Sequence, residues 1–148
     1  MHRQIDYFTD RHQLVRQGRK RLFGKYRHYS GVIIDMYYDH FLANLWKNYS
    51  KNSLSDFSVQ VYETIENNFH ALPEKSQLLF PFMKKRNWLL TYASTEGIGQ
   101  ALSGMSKRIV HDSKLDEAVY DLHENYDLFK VEFQQFIIEI KAHFDSRY

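Results

Sequence analysis

A chain of 148 residues, 43% hydrophobic and 26% charged, is long enough to bury a core without covalent staples, and its lack of cysteine excludes disulfides, thiolate ligands and thiol nucleophiles. The formal net charge is only +2, yet Arg11, Arg16, Arg19, Lys20, Arg21, Lys25 and Arg27 crowd into residues 11–29 with no acid among them, so the basic charge is local and suits a polyanion or a solvated helix face. No apolar run approaches the roughly 18 residues of a membrane span and no basic-then-apolar leader opens the chain, which makes a cytoplasmic location the default expectation.

Two prolines, six glycines and the absence of sustained strand-like alternation predict an all-α fold, a single helical bundle over residues 1–148. Residues 1–8 read as a helix already under way at Met1, and Thr9 or Asp10 is placed to cap a second helix running to about Phe23. Gly24 to Tyr29 reads as a loop, with Ser30 capping a central helix from Gly31 to about Asn48. Ser53 or Ser55 caps the next helix, whose apolar face is Phe57, Val61, Ile65 and Phe69 and which ends before Pro73. Glu74 to Met83 is expected as a short helix interrupted near Pro81, followed by a helical turn over Asn87 to Tyr92. Ser94 or Thr95 starts a helix in which Gly97, Gly99 and Gly104 offer room for a close neighbour. From about Ser113 onward, Leu115, Val119, Leu122, Tyr126, Phe129, Phe133, Phe136 and Ile140 recur at spacings of four and three. That period predicts one long C-terminal helix packed along the bundle, with a coiled-coil dimer as the rival reading.

The central helix carries the least expected charges. Between Gly31 and Trp46 it is apolar almost all round, the pattern of a helix enclosed by others, yet it contains Asp35, Asp39 and His40. Buried carboxylates spaced i, i+4 need compensation, either ion pairs with Arg or Lys of neighbouring helices or a bound cation. A second set of this kind opens the chain, where His2 and Asp6 share one helix face and Asp10 lies near its end. Asp39 and His40 are adjacent and point about 100° apart on a helix, so they chelate one ion only with help from a second helix. Packing the first helix against the central one would gather His2, Asp6, Asp35, Asp39 and His40 into an O- and N-donor cluster suited to Mn²⁺, Mg²⁺ or Fe²⁺. A phosphate-binding glycine loop, a nucleophile elbow and His-Glu-x-x-His are all missing from the sequence, which argues against P-loop and serine-hydrolase chemistry.

In order along the chain, Met1-His-Arg-Gln-Ile-Asp-Tyr-Phe-Thr-Asp10, Asp35-Met-Tyr-Tyr-Asp-His-Phe-Leu42, Gly104-Met-Ser-Lys-Arg108 and the Leu115 to Tyr126 segment resemble the acyl carrier protein phosphodiesterase family, divergent members of the HD-type metal-dependent phosphohydrolases. The resemblance implies an HD-like all-α fold and hydrolysis of the phosphodiester joining 4′-phosphopantetheine to a serine of holo-acyl carrier protein, with a divalent cation, Mn²⁺ first and Mg²⁺ or Fe²⁺ as alternatives. It implies metal or water-activating roles for His2, Asp6, Asp39 and His40, with Arg3, Asp10 and Asp35 as support and the Arg3 guanidinium matched to two phosphate oxygens. Acyl carrier proteins are strongly acidic small helical bundles, so the implied partner-binding residues are Arg16, Arg19, Lys20, Arg21 and Lys25. An HD-type phosphohydrolase of a nucleotide or other small phosphoester, and a non-catalytic helical module holding an acidic partner through residues 11–29, are the alternatives. Family members usually carry a further stretch before the His-Arg-x-Ile-Asp motif, at which this chain begins. The chain is therefore expected to be short at its N-terminus, with a homodimer covering the surface so exposed.

Overall fold

Residues 8–9, 11–109 and 112–145 are described by a computed structural model, and every regular element among them is helical. In chain order these are α1 (Gln13–Tyr26), α2 (Ser30–Asn44), α3 (Leu54–Asn67), α4 (Glu74–Arg86), α5 (Trp88–Thr91), α6 (Thr95–Arg108), α7 (Ala118–Glu124) and α8 (Tyr126–Asp145), joined in places by single 3-10 turns. None of the helices is long and apolar enough to cross a membrane. The chain divides into two compact units, residues 1–38 with 99–148, and residues 39–98.

In the first unit, α1 packs along the 20-residue α8. The buried face of α1 is Val15, Gly18, Leu22 and Tyr26, at the spacing that puts residues of successive turns on one side. Gly18 makes the close approach possible: a Cβ there would lie 2.7 Å from Cδ1 of Ile34 and 3.9 Å from the Phe129 ring. On α8, Phe129, Phe133 and Phe136 are buried, each contributing roughly 1.5–3 kcal/mol of transfer free energy. Tyr37 meets Phe129 edge-on at 5.0 Å and Tyr38 meets Phe133 at 5.2 Å. The 3.5-residue seam is thus intramolecular core, with Leu115 and Leu122 fully buried as well. It is not one helix. Asn125 leaves helical geometry at φ −121°, ψ 31° between α7 and α8, and asparagine competes for backbone hydrogen bonds in this way.

The expected loop at Gly24 to Tyr29 is mostly helical. α1 continues to Tyr26, a 3-10 turn covers Arg27–Tyr29, and α2 follows at once. The change of direction is made by Arg27 at φ 53°, ψ −127°, a left-handed conformation that costs a non-glycine residue of order 1–3 kcal/mol. The cap of α1 is His12, whose Nδ1 accepts from the Leu14 N–H at 3.1 Å, in place of the Thr9 or Asp10 expected a few residues earlier. With Nδ1 accepting, the neutral ring carries its proton on Nε2, 3.5 Å from the Glu139 carboxylate.

In the second unit, Ser53 caps α3 by accepting from the Asp56 N–H at 3.0 Å, as its sequence position predicts. α3 and α4 both pack on the short α5. Tyr62 donates to Oδ1 of Asn87 at 2.8 Å, and its oxygen accepts from the Leu89 N–H at 3.3 Å. Asn87 adopts φ 49°, ψ 61° and so ends α4. α4 runs through Pro81 rather than breaking there; Pro81 is exposed, so water can solvate the carbonyl its ring leaves without a donor. At the start of α6, Ser94 accepts from the Gly97 N–H at 3.0 Å, and a Cβ on Gly97 would lie 1.9 Å from the Thr91 carbonyl oxygen. Of the three α6 glycines, Gly104 has nothing among the described residues within 4 Å of where a Cβ would stand.

Candidate active site

α2 is two-sided. Ile33, Ile34, Tyr37 and Phe41 have no accessible surface and His40 only 1%, whereas Val32, Asp35, Asp39 and Leu42 are exposed. Positions 32, 35, 39 and 42 follow the i, i+3, i+7, i+10 track of one helix face. The expectation of a fully enclosed helix is therefore corrected: the two carboxylates occupy a stripe turned to solvent, where an ionised carboxylate stays hydrated. They leave the helix one turn apart on the same side.

His40 sits on the buried side. Its Nδ1 lies 2.8 Å from the Tyr92 carbonyl oxygen. A carbonyl only accepts, so Nδ1 donates, and in the neutral ring the lone pair is on Nε2. Fixing a tautomer through a backbone carbonyl is what a metal-ligating or proton-accepting histidine needs. One turn on, Asn44 donates from Nδ2 to the Ala93 carbonyl at 2.9 Å, so two consecutive carbonyls after α5 are held by α2. Tyr92 also responds to the neighbouring acid: burial raises its phenol above the ordinary value, and the negative charge of Asp39 raises it further. Nothing in the sequence marks Tyr92 as a partner, because 52 residues separate it from His40.

His2, Arg3 and Asp6, with Asp10, lie outside the described residues. Among the described residues no group of three or more histidines and carboxylates is placed to hold a metal ion. Asp35 and Asp39 are oxygen donors accessible to a hard cation and His40 has the tautomer of a ligand, so the described part of the set has the right donor chemistry for a divalent ion. Asp39 and His40 still diverge by about 100° around the helix, as adjacent residues must.

The five basic residues of the predicted partner surface separate into two kinds. Arg21 forms a two-pronged bond to the buried Glu132, 2.6 Å to Oε1 and 3.1 Å to Oε2, and its guanidinium lies 5.3 Å from the Phe129 ring centre. Lys25 lies 3.2 Å from Glu117 and 3.4 Å from Asp121. Asp121 also accepts from the Tyr26 hydroxyl, and burial together with that bond raises the phenol well above its ordinary value. Arg16 and Lys20 are exposed, and Arg19 and Lys20 line an open cleft of about 490 Å³ with Phe23, Gly24, His28, Ser30 and Gly31.

These features define an all-helical protein with a carboxylate pair on one exposed helix stripe, a tautomer-fixed imidazole beside it and a cationic helix face elsewhere. The family model described as acyl carrier protein phosphodiesterase matches residues 1–140, and the chain belongs to that family. It is 36% identical over 137 residues to the acyl carrier protein phosphodiesterase of Photorhabdus laumondii, covering 92% of this chain and 69% of that protein. Proteins of the same name from Serratia proteamaculans and Escherichia coli are 31% and 29% identical over 92% of this chain, each with 71% of its own length covered. No solved structure matches the chain.

Proposed function

We propose that this chain hydrolyses the phosphodiester linking 4′-phosphopantetheine to a serine of holo-acyl carrier protein, yielding apo-carrier and free 4′-phosphopantetheine. The observation that carries this reading is the family match over residues 1–140, which includes both acid-and-imidazole motifs, together with the exposure of Asp35 and Asp39 on α2. In this reading His2, Asp6, Asp39 and His40 hold a divalent cation such as Mn²⁺, with Mg²⁺ or Fe²⁺ able to substitute. Such an ion, when bound, lowers the pKa of a coordinated water and polarises the phosphoryl oxygen. The chain's own contribution is positional: α2 presents Asp39 to solvent, and the Tyr92 carbonyl keeps the His40 proton on Nδ1. Asp35 lies one turn away as a second carboxylate for orienting water, and Arg3 neutralises the phosphate.

The test is release of 4′-phosphopantetheine from holo-carrier by the purified chain, with and without Mn²⁺, for the wild type and Asp39→Asn. Because Asp39 is exposed, the variant is expected to keep its thermal midpoint while release falls by about 10- to 100-fold or more, since even partners outside the ligand set carry an effect of that size. Undiminished release by Asp39→Asn, or none by the wild type with any of the three cations, overturns the proposal.

A further inference from the structure

One flank of α1, about 100° around the helix from its buried side of Val15, Leu22 and Tyr26, carries a row of cations. Arg16, Lys20 and Phe23 are exposed, with Arg27 just beyond in the 3-10 turn, its guanidinium 5.7 Å from the Phe23 ring centre. Among the described residues Arg16, Lys20 and Arg27 form no ion pair, in contrast to Arg21 and Lys25. Phe23 is half exposed, at 50%, an apolar centre within a cationic rim. That is the plan of a protein interface, with an apolar contact at its middle and charges around it. Within α1, Arg16, Lys20 and Phe23 follow one another at about one helical turn, and that part of the stripe is about 10 Å long at 1.5 Å per residue. Its counterpart is another helix with acids at one-turn spacing, and Lys20 and Phe23 of the stripe also line the open cleft with His28.

We propose that Arg16, Lys20, Phe23 and Arg27 form the docking face for an acidic helix of the carrier-protein substrate, with an apolar side chain of that helix seated on Phe23. This rests on the activity proposed above. Arg21 and Lys25 take no part, because Glu132, Glu117 and Asp121 hold them inside this chain. The face supplies steering and orientation, so its contribution falls on encounter and fades as salt screens it.

Two measurements on the full chain test the assignment. Calorimetric titration with holo-carrier reports binding whether or not turnover occurs, and steady-state release of 4′-phosphopantetheine reports KM and kcat separately. Arg16→Glu/Lys20→Glu/Arg27→Glu is expected to weaken binding and raise KM at least about tenfold at low salt, with the difference shrinking several-fold in about 0.5 M salt. Phe23→Ala is expected to raise KM by a smaller factor that salt leaves unchanged. If the wild type binds carrier through this face but releases nothing, the docking inference stands and the proposed activity fails. If it releases 4′-phosphopantetheine and the triple variant keeps both binding and KM, the docking inference is overturned and the activity stands. Loss of single-stranded RNA binding in the triple variant with carrier binding intact also overturns it, in favour of a nucleic-acid face.

Discussion

Arg21→Gln separates the cations that hold the fold from those on its surface. The substitution strands Glu132, whose side chain is 8% exposed, by removing a guanidinium that is 32% exposed and bonded at 2.6 and 3.1 Å. Breaking a fully buried pair costs about 3–5 kcal/mol because a charge is left without a partner, whereas exposed pairs are worth about 0–1 kcal/mol. A buried glutamate facing an arginine one-third open to water lies between these limits, so about 2–3 kcal/mol is expected. For a chain of this size each kcal/mol moves the thermal midpoint by about 2–4 °C, which gives a fall of about 5–10 °C. Arg16→Gln removes the same charge from the same helix at an exposed site and is expected to shift stability by no more than about 0.5 kcal/mol. Circular-dichroism melts and urea unfolding of the two variants side by side cancel any effect of net charge. Arg21→Met combined with Glu132→Leu is expected to recover most of the loss, since the buried charge goes as well. Equal midpoints for Arg21→Gln and Arg16→Gln would refute the division of α1 into structural and surface cations.

Tyr38→Phe is expected to be neutral or stabilising by about 1 kcal/mol in urea unfolding, because the Tyr38 hydroxyl is buried with no hydrogen-bond partner among the described residues and an orphaned polar group is a cost; clear destabilisation would mean that the hydroxyl is satisfied. Gly97→Ala drives a Cβ to 1.9 Å from the Thr91 carbonyl oxygen and is expected to cost about 3 kcal/mol, while Gly104→Ala, with open space around it, is expected to gain about 0.5–1 kcal/mol in the same helix; melting temperatures that move together would disprove the packing account. Burial raises the phenols of Tyr26, Tyr37 and Tyr38 in the folded state above the ordinary value of 10.0. A raised folded-state value contributes stability that is fully present below about pH 10 and lost as pH climbs toward the folded-state values, so the thermal midpoint is expected to decline steeply above pH 10. A midpoint flat from pH 9 to 11.5 would contradict this.

Where sequence and structure agree, a local rule and the tertiary packing point the same way. Ser53 and Ser94 cap helices because a hydroxyl before a helical run has a backbone N–H within reach. The Phe129, Phe133 and Phe136 seam is buried as its spacing requires. α2 was misleading for an intelligible reason. Val32 and Leu42 are apolar yet exposed, and with them the helix appears hydrophobic on every side, hiding the stripe that contains Asp35 and Asp39. The cluster of cations was plain in composition, but its division was not, because the acids that neutralise Arg21 and Lys25 lie about 90 to 110 residues further along. The turn at Arg27 escaped for a similar reason: a non-glycine residue with positive φ leaves no mark in sequence.

The two-sided character of α2 gives the residues of one short motif unequal freedom to vary. Asp35 and Asp39 are exposed, so exchanging either carboxylate leaves the apolar side of the helix in place. His40, enclosed and tied to the Tyr92 carbonyl, cannot change without disturbing both the interior and the chemistry. A mutational scan of residues 35–40 scored for folding alone would therefore tolerate substitution at 35 and 39, accept only another large apolar ring at 38 and reject substitution at 37 and 40, and only a scan scored for turnover would mark the aspartates. In this helix two of the positions on which the proposed activity depends, Asp35 and Asp39, are exposed, which makes them natural entry points for redirecting the site without first restabilising the fold.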